Sequence, residues 1–392
     1  MTKELLGKNH DIFFKYIDLV FDAVRKANNL SSQEIINEIK SSGLRGRGGA
    51  GFPTGLKWEL VSKEGVEPKY VICNAHEGEP ETYKDKYILE NFPHLVIGGM
   101  LIAATALNSK DLFITIKETY KKAVHLLKNE VSYFKKHGFL KDINFNIFPA
   151  QLGYIGGEES ALLNELEGKR VESRIKPPFV STIGLFGKPS LINNVESLAN
   201  IPFIINYGAK KYREFGTEDS SGKKIITVVG DVQKPGVIEI EFGKILNDFL
   251  NLAGGSKGKI KFALTGGYAG TVVTPKQFNI PFEFSSSQTG LSVGAGTIFF
   301  YNEKTNLLET MKQWLEFFKD QSCGQCTPCR EGTFRLYEII SNTKNKLSKK
   351  ELTKIEEIFF TLDNSSLCAL GSSVSLATRS LITVFKKELV NA

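Results

Sequence analysis

The chain is poor in sulfur and in heteroaromatic side chains: its 392 residues hold five cysteines, three methionines, two tryptophans and five histidines. With so few cysteines, and no apolar secretion-signal core between Met1 and Asp11, a disulfide-stapled secreted scaffold is excluded and a reducing, cytoplasmic setting is expected. Long apolar runs are missing too. The longest, around Leu95 to Leu107, is broken by Gly98 and Gly99 and is too short to span a bilayer, so any membrane association is indirect, through partners. Basic blocks are absent: lysines cluster only in pairs such as Lys121-Lys122, Lys135-Lys136 and Lys349-Lys350. A net charge of +7 without interleaved aromatics gives no footprint for nucleic acid. Repeats and low-complexity segments are also absent. A share of 41% hydrophobic and 24% charged residues leaves no room for extensive disorder. A chain this long exceeds one hydrophobic core, and two or three domains are expected.

What cysteine there is, is concentrated. Four of the five belong to Ser322-Cys-Gly-Gln-Cys-Thr-Pro-Cys-Arg-Glu-Gly332 and to Cys368, 39 residues after Cys329. Three thiolates at Cys-x-x-Cys-x-x-Cys spacing can reach three corners of a cuboidal [4Fe–4S] cluster, and a distant fourth closes the cage. The candidate ligands are Cys323, Cys326, Cys329 and Cys368. A Cys₄ zinc site is the rival, although structural zinc usually draws its ligands as separated pairs. Gly324 and Gly332 let the backbone turn closely, and Arg330 can offset thiolate charge.

Glycine is concentrated as well. Gly43 to Gly55 holds six glycines in thirteen residues, with Arg45, Arg47 and then Lys57 adding positive charge. Such a loop packs no core but brings backbone N–H groups against an anion. Gly46-x-Gly48-x-x-Gly51 matches the dinucleotide fingerprint letter for letter, yet a helical segment precedes it where that fingerprint needs a strand. The reading is a phosphate cradle that is not the usual Rossmann turn.

Helices are expected over Asp11–Lys26 and Ser31–Lys40, the second capped by Ser31 or Ser32. Lys69–Cys73 reads as a buried strand running into Asn74-Ala-His-Glu-Gly-Glu-Pro, the place where open α/β sheets put ligands. Helix Pro93–Leu107, strand Asp111–Ile116, helix Tyr120–His137 and a strand near Asn144–Phe148 continue an α/β alternation. Gly153-Tyr-Ile-Gly-Gly-Glu-Glu-Ser160 then opens a helix over Ser160–Glu167. Glu158 and Glu159 there are either dipole-stabilised carboxylates or acceptors for sugar hydroxyls. From Lys223 short strands (Ile225–Val229, Gly236–Ile240, Lys261–Thr265) and a helix within Gly243–Leu252 suggest a small α+β domain ending near Phe300. Beyond Asn306 the pattern is helical: Leu307–Lys319, Phe334–Ser341, Lys349–Leu362 and Ser373–Lys387, a bundle with the cysteines in its connections.

Taken together, Gly43–Trp58, Asn74–Asp85, Gly153–Ser160 with Leu162–Gly168, Lys176–Phe179, Asn193–Glu196 and Ser322–Gly332 with Cys368 resemble one family. It is the flavin-carrying, NADH-oxidising subunit of respiratory complex I, with the related diaphorase subunits of NAD-linked hydrogenases, formate dehydrogenases and bifurcating complexes. The resemblance runs from about residue 40 to the end of the chain. It implies a Rossmann-like α/β FMN/NADH-binding domain (1–222), a ubiquitin-like α+β domain (223–302) and a helical bundle with a [4Fe–4S] cluster (303–392). It also implies that NADH is oxidised through FMN and that single electrons leave by the cluster. The receivers would be a thioredoxin-like [2Fe–2S] subunit and a larger iron–sulfur subunit.

By position, Gly46, Arg47, Gly48, Lys57, Asn74, Glu77, Tyr154, Gly157, Glu158, Asn193 and Asn194 would surround FMN. Phe52, Glu79, Glu159 and Phe179 would hold NADH, Phe179 against the adenine. No side chain is expected to act as a proton donor or acceptor in the hydride step. Three residues depart from the family pattern: His76 replaces an acid, Glu81 a glycine and Gly156 a cysteine. They leave open a second reading, a flavin and iron–sulfur electron-transfer subunit that no longer uses NADH.

Overall fold

The computed structural model describes residues 12–150 and 153–391. The N-terminal stretch Met1 to Asp11, including the start of the first expected helix, lies outside them. That helix, α1, covers Ile17–Asn28, because Tyr16 before it is extended. α2 (Ser32–Ser41) begins at a capping box in which Ser31 and Glu34 satisfy each other's backbone N–H groups. After α3 (Thr54–Ser62) the chain alternates: β1 (Tyr70–Ala75), α4 (Lys84–Asn91), α5 (Pro93–Leu107), β2 (Asp111–Lys117), α6 (Lys121–Lys136), β3 (Asn144–Ala150), α7 (Glu159–Leu166), β4 (Ser190–Asn194), α8 (Val195–Tyr207) and α9 (Ala209–Tyr212).

The four strands form one parallel sheet in the order β3-β2-β1-β4. Its Val71, Cys73, Leu112, Ile114 and Leu191 face shares a core with α1, α5 and α8, while Ile72 and Ile192 pack against Leu162 and Leu163 of α7. α5 is apolar on every side and buried along almost its whole length, the pattern of a central core helix. No single helix among the described residues is long and apolar enough to cross a membrane.

A second sheet follows: β5 (Lys223–Gly230), β6 (Gly236–Glu241), then α10 (Leu246–Leu252), β7 (Ile260–Thr265), β8 (Thr271–Val273) and β9 (Thr297–Asn302). Its order is β6-β5-β9-β7-β8, with β5 and β9 parallel and the outer pairs antiparallel. One face, with Phe249 of α10, closes its own core. The other, through Phe262, Leu264 and Phe299, packs on the helical region of α11 (Leu307–Gln321), α12 (Thr327–Asn342), α13 (Lys349–Ser365), α14 (Ala369–Val384) and α15 (Lys386–Leu389).

α12 starts seven residues before the expected Phe334, since Pro328 fits a helix's first turn, where no N–H is needed. Cys329 therefore sits on the helix, buried, rather than in a connection. Cys326 and Cys368 stand at the N-caps of α12 and α14.

A buried ion network joins the two sheets. Glu196, wholly buried in the first turn of α8, accepts from Lys224 Nζ at 3.1 Å and from Ile225 N at 2.7 Å, both on β5, and lies 3.4 Å from Lys84 Nζ of α4. Lys84 is also bonded to Asp85 and to Asn194. Burial draws the Lys224 ammonium down to about 8 although Glu196 opposes it. Burial would raise Glu196, but Lys224, Lys84 and Arg47 outweigh it and hold the carboxylate low. Removing one partner of such a network leaves a buried charge uncompensated.

Two expectations follow. Glu196→Gln keeps the bond to Ile225 N but strips the counter-charge from Lys224 and leaves Lys84 to Asp85; it should cost about 3–5 kcal/mol, read as a lowered denaturant midpoint. Glu81 holds φ 58°, the left-handed region where a side chain is strained. Glu81→Gly should raise stability by roughly 1 kcal/mol in the same assay.

Candidate functional site

In a parallel sheet, ligands bind beyond the carboxyl ends of the strands at the point where the strand order reverses. Here the chain passes from β1 outward to β2 and β3 and returns to β4 on β1's other side, so that point lies between β1 and β4. The register sets Asn74 opposite Asn194 and Cys73 opposite Asn193, which puts three carboxamides at this crevice.

Each is held by a neighbouring element. Asn74 Nδ2 donates to Gly157 O at 2.8 Å and its Oδ1 accepts from His76 N. Trp58 Nε1 of α3 donates to Asn193 Oδ1 at 2.8 Å. Asn194 caps α8 and is fixed by Lys84 and by Asp85, to which it donates at 2.7 Å.

The glycine-rich loop arches over the same edge. A helix precedes it, as its sequence context suggests, and it closes on itself through Gly46 N to Phe52 O at 2.8 Å. A Cβ on Gly48 would stand 3.1 Å from Asn194 Cβ, a contact tighter than side chains normally make. The loop then feeds α3, whose N-terminus has no side-chain cap, the arrangement that suits a phosphate. The buried hydroxyl of Thr54, the first residue of α3, has no hydrogen-bond partner among the described residues. Lys57, one turn in, reaches Ile192 O at 3.1 Å and Glu159 Oε2 at 3.2 Å.

Opposite the loop, Glu158 caps α7, accepting from Ser160 N and Ala161 N, and its other oxygen takes Lys176 Nζ at 2.8 Å. Lys176 also pairs with Glu159. Burial would raise Glu159, but Lys57 and Lys176 outweigh it and hold the carboxylate below its ordinary value. Phe52 in the glycine-rich loop and Phe179, three residues after Lys176, leave their rings exposed, at 44% and 57%.

Two expected ligand groups have other partners. Arg47 is wholly buried: its guanidinium bonds Tyr212 OH and Ser221 O and lies 4.8 Å from the Phe242 ring centre. Its side chain anchors the loop to the second sheet rather than facing the crevice. Glu77 accepts from Asp85 N, Lys86 N and Tyr120 OH, so it ties down the start of α4. Burial, then the Asp85 charge, lifts it to about 7. Glu79 is buried against the β7–β8 loop, accepting from Ala269 N, and burial lifts it to about 7 as well.

The departures from the family pattern are accommodated. His76 Nε2 donates to Gly153 O at 2.6 Å, and a side chain at Gly156 would collide with its ring. The histidine and the glycine occupy each other's space. Sequence reasoning missed Trp58, Lys84, Asp85 and Lys176 as the groups that orient the carboxamides and Glu158. Trp58, Lys84 and Asp85 meet asparagines more than 100 positions away, and Lys176 meets Glu158 across 18, pairings that local sequence does not show.

The four thiols lie beside the Gly153–Gly157 loop and α7, where Arg170 donates to Cys323 O at 2.8 Å. Cys329 accepts from or donates to Ser322 Oγ at 3.3 Å. Burial first, with the neighbouring Cys326, Cys368 and Cys323 adding to it, pushes its thiol up to about 12. Among the described residues no group of three or more His, Cys, Asp or Glu side chains closes around a single metal ion. A donor set of four thiols suits an iron–sulfur cluster. The carboxamides, uncapped helix and lysine of the crevice suit a phosphorylated flavin.

Comparison with known proteins gives the same division. Residues 39–203 match the family model described as the Nuo51 FMN-binding domain, and residues 309–392 match the NADH-ubiquinone oxidoreductase-F iron-sulfur binding region. The F subunit of NADH-quinone oxidoreductase from Aquifex aeolicus (strain VF5) is 37% identical over 380 residues, covering 94% of this chain and 88% of that protein. The HndC subunit of the NADP-reducing hydrogenase of Solidesulfovibrio fructosivorans is 35% identical over 381 residues, covering 94% of this chain and 78% of that one. A crystal structure of an NAD+-reducing [NiFe]-hydrogenase in the H2-reduced state superposes with a TM-score of 0.92 at 29% identity, over 99% of this chain and 67% of that chain. The chain therefore belongs to the family of FMN-binding, iron–sulfur-binding F subunits of NADH-oxidising oxidoreductases.

Proposed function

We propose that this chain is the NADH-entry subunit of a larger redox complex, with FMN in the β1/β4 crevice and a [4Fe–4S] cluster on Cys323, Cys326, Cys329 and Cys368. When bound, the flavin accepts hydride from NADH and the cluster carries electrons onward singly. The observation that carries the reading is the adjacency of the two sites. Gln321, two residues before Cys323, accepts from Tyr154 N at 2.6 Å, and Arg170, just past the α7 that Glu158 caps, donates to Cys323 O at 2.8 Å.

The chain's own residues hold and orient. Gly46 and Gly48 with the uncapped α3 would take the phosphate, Lys57 adding charge. Asn74, Asn193, Asn194 and the backbone at Gly157 would present hydrogen bonds to the ring and chain of the flavin, with Tyr154 alongside. Glu158 would accept from its hydroxyls. Arg47 and Glu77 would act one step back, fixing the loop and α4. Phe52, Glu79, Glu159 and Phe179 would line the nucleotide side, Phe179 offering an exposed face to the adenine. With a pKa of about 7, Glu79 can donate or accept a hydrogen bond there.

Residues 1–222, 223–302 and 303–392 would be the three domains. In the middle one the first and last strands are parallel neighbours flanked by two hairpins, with a helix between strands two and three; that supports a ubiquitin-like fold. The receivers would be a thioredoxin-like [2Fe–2S] subunit and a larger iron–sulfur subunit, on the cytoplasmic side.

The reading without NADH is less well supported. Glu81 keeps a glycine-like backbone, so the turn after β1 is preserved. His76 is fitted by the bare Gly156.

Anaerobic addition of NADH to the purified subunit should bleach its flavin stoichiometrically; a flavin that NADH leaves oxidised would sink the proposal. Glu79 gives a second test. Because its folded pKa lies above its ordinary 4.5, the folded state holds the proton more tightly, and stability falls as pH rises from about 4.5 to about 7. Glu79→Gln removes that dependence. Its stability relative to the parent should be flat below about pH 4.5, rise between about 4.5 and 7 by at most about 3 kcal/mol, and level off above. Unfolding curves at four pH values check it.

A further inference from the structure

One face of α11 packs on Tyr154 of the Gly153–Gly157 loop and on Tyr268 of the β7–β8 loop, and the helix ends at the cysteines. Gln321, its last residue, stands two positions before Cys323. Its Oε1 accepts the backbone N–H of Tyr154 at 2.6 Å. With Gln321 in this place only a glycine fits at 153, because a Cβ there would collide with the Gln321 amide.

One turn earlier on the same face, Phe317 packs on the Tyr154 ring with centroids 5.2 Å apart, and edge-on against Tyr268 at 5.4 Å. Tyr268 adjoins Ala269, whose N–H reaches Glu79. At the far end of α7, Arg170 donates to Cys323 O at 2.8 Å. The segment from Gly153 through α7 to Arg170 is thus strapped at both ends to the cysteine loop and the helix that delivers it.

Resting on the reading above, we propose that Gln321 is a positioning residue. It sets the separation between the Gly153–Gly157 loop and the cysteine loop, so that electron hand-over to the cluster depends on it while reduction by NADH does not. The chemistry fits the role. A neutral amide supplies a strong acceptor without placing a charge beside the thiolates. Its position at the end of α11 means that a shift of the acceptor would move the loop relative to Cys323.

The test compares the intact, cofactor-loaded chain with Gln321→Leu, which keeps the bulk but loses the acceptor, and with Gln321→Glu, which restores it. Flavin and cluster absorbance are followed separately after rapid anaerobic mixing with NADH, and exchange of the Tyr154 amide is followed by mass spectrometry. In Gln321→Leu, flavin content and the rate of flavin bleaching should match the parent, cluster bleaching should lag behind, and the Tyr154 amide should exchange roughly fivefold faster. Gln321→Glu should return the amide to parental protection.

Parallel loss of flavin and cluster bleaching, or an unchanged Tyr154 amide in Gln321→Leu, would overturn the proposal. So would cluster reduction that keeps pace with the flavin. If NADH fails to bleach the flavin of the parent itself, the functional reading fails, and the Tyr154 amide still decides whether the clamp exists.

Discussion

Glu196 is the fixed point of this molecule. It is fully buried at the start of α8, and it is the shared counter-charge of two lysines that approach from different layers, Lys84 from α4 and Lys224 from β5. A carboxylate in that position is tolerable only when paired, and the pairing forces the first sheet, the second sheet and the beginning of α4 into one arrangement. The crevice inherits that arrangement. Asn194 caps the helix that carries Glu196, Lys84 bonds Asn194, and Lys224 also donates to Arg47 O at 3.2 Å, inside the glycine-rich loop.

The second sheet is therefore part of the site although it contributes few candidate ligands. Its Phe284 ring takes the Arg45 guanidinium at 4.5 Å, and Phe284 leaves no room for a side chain at Gly51, whose φ of 64° already favours glycine. Thr82 and Thr297 share a hydrogen bond at 2.6 Å, so the loop after β1 rests on β9. A loop of six glycines carries a large entropic cost of ordering. Gripping it from below through Arg45, Arg47 and Gly51 reduces what a ligand must supply.

Much of this was readable from sequence where the signal is local. Both ends of α5 were marked by a Pro start and an apolar run stopped at Asn108, which takes the left-handed C-cap. A serine N-cap, Ser31 or Ser32, announced α2, and the four cysteines announced themselves. What was not readable depends on partners far apart in sequence. Arg47 looked like a phosphate ligand because arginine in a glycine-rich loop usually is one; its burial follows from Tyr212 and Ser221, more than 160 positions away. Glu77 looked like a flavin contact, and only the folded turn reveals that three donors already occupy it. Cys329 was expected in a connection because the helical pattern was read only from Phe334, but Pro328 marks the earlier helix start.

The departures at His76, Gly156 and Glu81 show why substitutions near a site must be weighed in pairs. An imidazole beyond β1 needs volume that a side chain at 156 would fill, so the two positions constrain each other more tightly than either constrains the fold. Glu81 differs, since it keeps the backbone of a glycine and bears the strain itself. One change is compensated by a neighbour and the other is carried as stored instability, yet Asn74 still donates to Gly157 O at 2.8 Å beside them. On the proposed function, hydride entry would rest on the carboxamides with the glycine-rich loop, and electron exit on the contacts of α11 and Arg170 with the segment from Gly153 to the cysteine loop. That separation would let the loop after β1 carry His76 and Glu81 without altering the spacing to the cysteines.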